Sequence, residues 1–207
     1  MTTPSPATRV AVFGLPGTGK TTLAHQLAAA WKLPVHELDD VLFTPTGALP
    51  LPEFRSQVSA LTDTPTWIVE GKYSKLQDIT WDRAGIVIWL DYRLPLILFR
   101  VTRRNLSRLS GRDQTTSKPL TWRDAFFGRR SIFANALRKY LRNRPKYERQ
   151  IAETAAGGVR VLRFRTPRQT GHWLHNAVTS PPPTPRTQNV PTGPERHDAG
   201  RRGPNGG

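Results

Sequence analysis

Arg9-Val-Ala-Val-Phe-Gly-Leu-Pro-Gly-Thr-Gly-Lys-Thr-Thr22 decides how this 207-residue chain is read. Arg9 to Phe13 is a short β-branched and aromatic run stopped by Gly14, which predicts a buried strand. After Lys20, the residues Leu23, Leu27, Ala30 and Trp31 recur at helical spacing until Pro34 ends the pattern. Between strand and helix lies Gly14-Leu-Pro-Gly-Thr-Gly-Lys-Thr21, which satisfies G-x-x-x-x-G-K-[ST]. Gly14, Gly17 and Gly19 let the backbone curl so that successive amide hydrogens point inward at phosphate oxygens. Lys20 opens the helix, where it reaches β and γ phosphates, and the Thr21 hydroxyl suits Mg²⁺. Thr22 offers a hydroxyl or amide to a phosphate, and the helix dipole adds positive potential to the same place. The stretch therefore predicts nucleoside triphosphate binding.

Outward from it, strands and helices alternate. Further strands are expected at 33–38, 66–69, 85–90 and 159–164, the last alternating apolar and basic residues as an outer strand does. Helices are expected at 52–61, with Phe54, Val58 and Leu61 on one side, and at 94–109, with Leu94, Ile97, Leu98 and Val101 inward. Two more are expected at 122–141, interrupted near Gly128, and at 167–178. Apolar strands between helices predict an α/β three-layer sandwich around a five-stranded parallel sheet.

Three further segments join the loop. His36-Glu-Leu-Asp-Asp40 follows the second strand, Trp67-Ile-Val-Glu-Gly-Lys-Tyr73 contains the third, and Trp89-Leu-Asp-Tyr92 closes the fourth. With the loop pattern G-x-P-G-[ST]-G-K-[ST]-T, these resemble the small P-loop kinases related to adenylate kinase. The resemblance is strongest to their DNA topology modulation family, and it covers residues 8 to about 165. It implies ATP and Mg²⁺ as cofactors, with Gly14, Pro16, Gly17, Thr18, Gly19, Lys20, Thr21 and Thr22 around the nucleotide. It also implies that Asp39 orients or deprotonates an acceptor hydroxyl. Strand alternation would point Glu37 the same way, and Asp40 is a neighbour that could trade places with Asp39. Glu70, an acid closing an apolar strand, is expected beside Mg²⁺ with Thr21, with Asp91 as the alternative. Gly71 would admit substrate close to the backbone, and Tyr73 would stack on or hydrogen-bond the acceptor. The arginine that nucleoside-monophosphate kinases carry after the third-strand glycine is missing; this chain has Lys72-Tyr-Ser-Lys75, and Arg55 is a weak substitute.

The net charge of +16, from 31 Lys and Arg against 15 Asp and Glu, attracts polyanions in general. It concentrates at positions 93–149, where Asp113, Asp124 and Glu148 are the sole acids. Arg100, Arg104 and Arg108 recur every four residues and line one helical stripe, with Arg103 on its flank. In adenylate-kinase-like enzymes two arginines four apart on this helix contact the nucleotide. Arg100 and Arg104 match that spacing; Arg103 and Arg108 could replace or assist them. Planar guanidinium groups answer the charge that phosphoryl transfer spreads over equatorial oxygens. The surplus at Arg123, Arg129, Arg130, Arg138, Arg142 and Arg144 fits a solvated face, a site for an acidic or phosphorylated acceptor, or a weak polyanion surface. Trp122, Phe126, Phe127, Phe133 and Tyr140 fall mostly at helical spacing and read as core or lid packing.

With no cysteine, disulfides, thiol nucleophiles and cysteine metal sites are excluded, which fits a cytoplasmic protein. No apolar run reaches the roughly 18 residues of a membrane span. His172 and His175 lack partners for a metal site and read as surface residues. From Ser180 onward the chain holds one aliphatic residue larger than alanine, Val190, and reads as a disordered tail. The expected organisation is a flexible start at 1–7, a kinase domain at 8–178 with a small helical lid near 110–120, and the tail at 179–207. The function implied is transfer of the ATP γ-phosphoryl group to a small-molecule acceptor (nucleotide, nucleoside or other hydroxyl compound) by a monomer or small homo-oligomer. The alternative is a nucleic-acid-associated NTPase or DNA-binding protein affecting DNA topology; no dedicated nucleic-acid reader is visible.

Overall fold

A computed structural model describes residues 8–109 and 132–179. The expected flexible start, the lid near 110–120 and the tail from Ser180 lie outside the described residues. Strand β1 (Arg9–Gly14) is the central strand of a five-stranded parallel sheet. The others are β2 (Val35–Glu37), β5 (Trp67–Glu70), β6 (Ile86–Leu90) and β7 (Arg160–Phe164), in the order β2-β5-β1-β6-β7. The register sets Val12 beside both Glu70 and Ile88, so the ends of β5 and β6 flank the start of the phosphate loop.

Both faces of the sheet are apolar because alternate side chains of each strand go to opposite sides. Val10 and Val12 of β1 pack with Ile68, Ile88 and Leu90. Helix α1 (Lys20–Trp31) covers that side through Leu23, Leu27 and Trp31, and helix α5 (Leu94–Leu109) through Ile97 and Val101. Ala11 and Phe13 point the other way, into a cluster with Trp67, Trp81 and Trp89. Helix α3 (Leu51–Thr62) closes this side with Phe54 and Val58, and the helix Ile132–Ala156, here α6, adds Tyr147 and Ile151. Helix α7 (Pro167–Thr179) returns to the first face, where the Trp31 indole donates to the Ala177 carbonyl at 2.9 Å. The three-layer α/β sandwich is thus as the sequence predicts.

Four details differ from the sequence expectation. The second strand ends at Glu37, because Leu38–Leu42 turns into a short helix, α2, so the alternation that paired Glu37 with Asp39 stops there. A two-stranded hairpin, β3 (Phe43–Thr44) with β4 (Gly47–Ala48), follows it. After β5 comes a 3-10 turn, Ser74–Leu76, and helix α4 (Gln77–Thr80), too short to leave a periodic signature. The helix expected to stop at Leu141 continues to Ala156 with Pro145 inside it. Proline removes one backbone hydrogen bond there, and the packing of Tyr147 and Ile151 on the sheet offsets that loss.

Candidate active site

The phosphate loop is shaped by its neighbours as much as by its own sequence. Gly17 has φ +84°, and a Cβ there would sit 2.9 Å from a methyl of Val101 on α5. Only glycine adopts that conformation readily while letting a helix come so close. Gly19, also in the left-handed region, precedes α1 with no side-chain cap on the helix. The first amides of α1 are therefore left facing the loop, the arrangement that binds anions.

Two groups of side chains meet at this end of the sheet. In the first, Lys20 Nζ lies 3.0 Å from Glu70 Oε1, and the Thr21 hydroxyl donates to Glu70 Oε2 at 3.2 Å. Glu70 is buried, so its charge is held by the Lys20 ammonium rather than by water. In the second group, the Tyr73 hydroxyl donates a short hydrogen bond to Asp39 Oδ1. Burial, and then this bond, push the Tyr73 hydroxyl above its ordinary pKa; the Glu70 charge acts in the same direction and ties the two groups together. Tyr73 is steadied by an edge-to-face contact with Phe54 at 5.1 Å.

Gly71 joins the groups. Its φ of +121° needs glycine, and a Cβ would meet Leu38 Cβ at 3.1 Å. The space beside its Cα is therefore filled by the start of α2, which carries Asp39. Of the other candidate acids, Glu37 contacts His25 Nε2 at 2.7 Å, and Glu37 and Asp40 line a groove with His36 and Gln57 at the sheet edge. Asp39 is the acid that Tyr73 reaches.

Arg100, expected as part of the clamp, reaches the phosphate loop: its guanidinium donates to the Thr18 carbonyl at 3.2 Å and lies over the Tyr92 ring. Arg104 follows one turn later on α5 and is exposed, as is Arg103. The side chain of Arg108, and those of Arg123, Arg129, Arg130, Trp122, Phe126, Phe127 and Phe133, lie outside the described residues. Tyr140 packs against the first cluster, and His172 and His175 are exposed on α7.

Asp91, the alternative to Glu70 for the metal, has two arginine partners. It is buried at the end of β6, where Arg144 donates to it at 3.1 and 3.2 Å and Arg163 at 2.9 and 2.5 Å. Arg163 also donates to Glu148 at 2.6 Å, holding that carboxyl below its usual range, and lies 4.2 Å from the Trp89 ring centroid. Arg144 is thus one of the surplus arginines with a partner, whereas Arg138 and Arg142 are exposed. Arg55 is likewise engaged, donating to Asp78 at 2.6 and 3.0 Å.

Sequence reasoning passed over Lys72. Its ammonium lies 3.6 Å from the Trp81 ring centroid and 4.5 Å from that of Tyr147, and donates to Gln150 Oε1 at 2.7 Å. Burial, assisted by the like charge of Lys146, pushes its pKa down to about 7. A lysine after an acid-glycine pair carries no signal of this, since the rings come from three distant segments.

An ATPase family model, "ATPase family associated with various cellular activities (AAA)", matches residues 10–91, from β1 to the end of β6. Among solved structures, shikimate kinase from Acinetobacter baumannii in complex with shikimate superposes with a TM-score of 0.51. It is 16% identical over 85% of this chain and 94% of that one. Shikimate kinase from Bacteroides thetaiotaomicron also gives 0.51, at 12% identity over 82% and 95% of the two chains. The chain has the P-loop kinase fold. At these identities the likeness concerns the P-loop kinase fold and not the substrate. No curated protein sequence matches the chain significantly. Among the described residues no helix is long and apolar enough to cross a membrane.

Proposed function

We propose that this chain is a cytoplasmic phosphotransferase that moves the γ-phosphoryl group of ATP to a hydroxyl of a small molecule. The observation that carries the reading is the meeting of Lys20, Thr21 and Glu70 with Asp39 and Tyr73 across Gly71. The residues from 8 to 178 form the kinase unit. The loop from Gly14 to Thr22, including Pro16 and Thr18, cradles the phosphates, and Lys20 leaves Glu70 to neutralise them. Thr21 and Glu70 supply hard oxygen donors, the chemistry that suits Mg²⁺, which when bound would offset charge on the transferred group. Arg100 and Arg104 meet the charge that spreads over the equatorial oxygens. Asp39 accepts the proton of the attacking hydroxyl, and Tyr73 holds the carboxylate in place. The acceptor oxygen forms its bond to phosphorus as the bond to the ADP oxygen breaks.

The second reading, a nucleic-acid-associated NTPase, is favoured by one observation: Arg138, Arg142 and Arg149 are exposed along α6. Transfer from labelled ATP to a panel of nucleosides, nucleotides and hydroxy acids separates the two. The kinase reading expects transfer to at least one acceptor, lost by at least about 100-fold in Lys20→Ala. Hydrolysis stimulated by DNA, with no transfer to any acceptor, would overturn it.

A further inference from the structure

The edge strand β2 borders a groove of about 660 Å³ with an apolar lining from Val35, Val41 and Leu61 and two acids, Glu37 and Asp40. None of its lining residues is a lysine or arginine, although the chain carries 31 of these against 15 acids. Glu37 meets His25 through one oxygen, and the Asp40 carboxylate has no ion-pair partner among the described residues. Such a groove suits an apolar segment that carries a cation. The same edge lies close to where α7 ends. The Trp31 indole, at the end of α1, donates to the Ala177 carbonyl at 2.9 Å, and α7 stops soon after, at Thr179. Four residues beyond Trp31 the chain reaches Val35, no more than about 14 Å away. Past Thr179 the sequence reads Ser180-Pro-Pro-Pro-Thr-Pro-Arg186, with four prolines, one cation and no acid until Glu195. Proline-rich sequence favours an extended backbone rising about 3.1 Å per residue, so these seven residues reach about 22 Å.

We propose that the groove beside β2 is the docking site for the chain's own residues 180–186, with Arg186 received by Glu37 and Asp40. Strand β2 runs from Val35 to Glu37, so a segment entering beside Val35 meets the apolar lining first and the acids last. The order of the tail is the same, prolines and then arginine. Proline rings lie well against apolar grooves, and their backbone is already extended before it docks. The contact is intramolecular, so the tether supplies an effective concentration in the millimolar range and weak individual contacts suffice. Asp40 and Val41 belong to α2, so the docked segment also holds the helix that carries Asp39. The docking is independent of the kinase reading above.

The chain holds no cysteine, so introduced thiols report their own positions without background. Two double variants of the full chain share Thr184→Cys. One adds Ala60→Cys in the groove, and the other adds Ala29→Cys, exposed on α1 two residues before Trp31. Disulfide closure on addition of diamide is followed by mass spectrometry in dilute protein, with circular dichroism to check the fold. The groove pair should close at least about tenfold faster than the α1 pair, although both lie within the reach of the tether. Adding Arg186→Glu, a change outside the folded unit, should slow closure of the groove pair about threefold or more. Gln57→Cys, also in the groove, serves as a second reporter and should behave as Ala60→Cys does. The proposal is overturned if groove and α1 pairs close at equal rates, or if Arg186→Glu leaves closure of the groove pair unchanged. It is overturned as well if the groove pair forms disulfides only between two molecules, which would make the occupant a second copy of the chain.

Discussion

Strands β5 and β6 end alike in the sequence, Trp-Ile-Val-Glu70 and Ile-Trp-Leu-Asp91, and lie on either side of β1 with both acids buried. Their partners differ. Glu70 is met by Lys20 and Thr21, residues of the phosphate loop, which on the proposed kinase reading release it when a nucleotide arrives. Asp91 is met by Arg144 and Arg163 from α6 and β7, four hydrogen bonds with no phosphate-loop residue among them. One carboxylate faces a replaceable partner and the other is locked into a clamp. A terminal acid on a parallel strand is therefore a site residue or a fastening according to what the neighbouring elements bring to it.

Substitutions can break this contrast. The largest expected effect is that of Glu70→Gln, a loss of about 100-fold in kcat for phosphoryl transfer (about 3 kcal/mol), with the fold intact by circular dichroism. A variant with unchanged Mg²⁺-dependent turnover would remove Glu70 from the site. Asp91→Ala should act on stability. Removing one partner of a fully buried pair costs about 3–5 kcal/mol and of an exposed pair about 1 or less; with two half-buried arginines left behind, about 2 kcal/mol is expected in urea unfolding. If Asp91→Ala instead reduced metal-dependent turnover as strongly as Glu70→Gln, the contrast would collapse. Tyr73→Phe sharpens the acceptor side: it deletes the hydrogen bond to Asp39 and should cost about 1 kcal/mol, a several-fold fall in kcat/KM for the acceptor with the KM for ATP steady. The smallest effect concerns a surface fastening. Arg55 holds the Asp78 carboxyl below its ordinary 3.8, so the contribution of the pair is complete above that pH and fades as pH falls through the lower folded-state value. Asp78→Asn should lower the melting temperature slightly at pH 7 and by less at pH 3, below the ordinary carboxyl value. Equal differences at both pH values would show that packing, not charge, matters there.

Much of the fold was legible because its signals are local. A strand, a glycine turn and an amphipathic helix within Arg9–Trp31 announce the loop, and the apolar runs at Trp67 and Ile86 announce buried parallel strands. The missed elements are short or ambiguous: α2, α4 and the β3–β4 hairpin span too few residues for any period, and Pro145 argued against the helix that contains it. At the site, Lys20, Thr21 and Glu70 were legible by motif and by strand end, and Arg100 by its spacing on α5. Asp39 was chosen from three neighbouring acids by resemblance, whereas in the structure the Tyr73 hydroxyl distinguishes it. The Lys72 cage was invisible, since Phe13, Trp81 and Tyr147 are separated by long stretches of chain.

By itself the sequence determined where the chain curls around phosphate, because glycine conformation, helix start and side-chain chemistry there are properties of adjacent residues. It determined the parallel sheet as well, since apolar strands must be covered on both faces. Tertiary structure alone decided which charge meets which. Charge pairing depends on distances of a few ångströms between residues that the chain keeps far apart, and burial makes those pairings decisive by removing the water that would otherwise serve every charge equally.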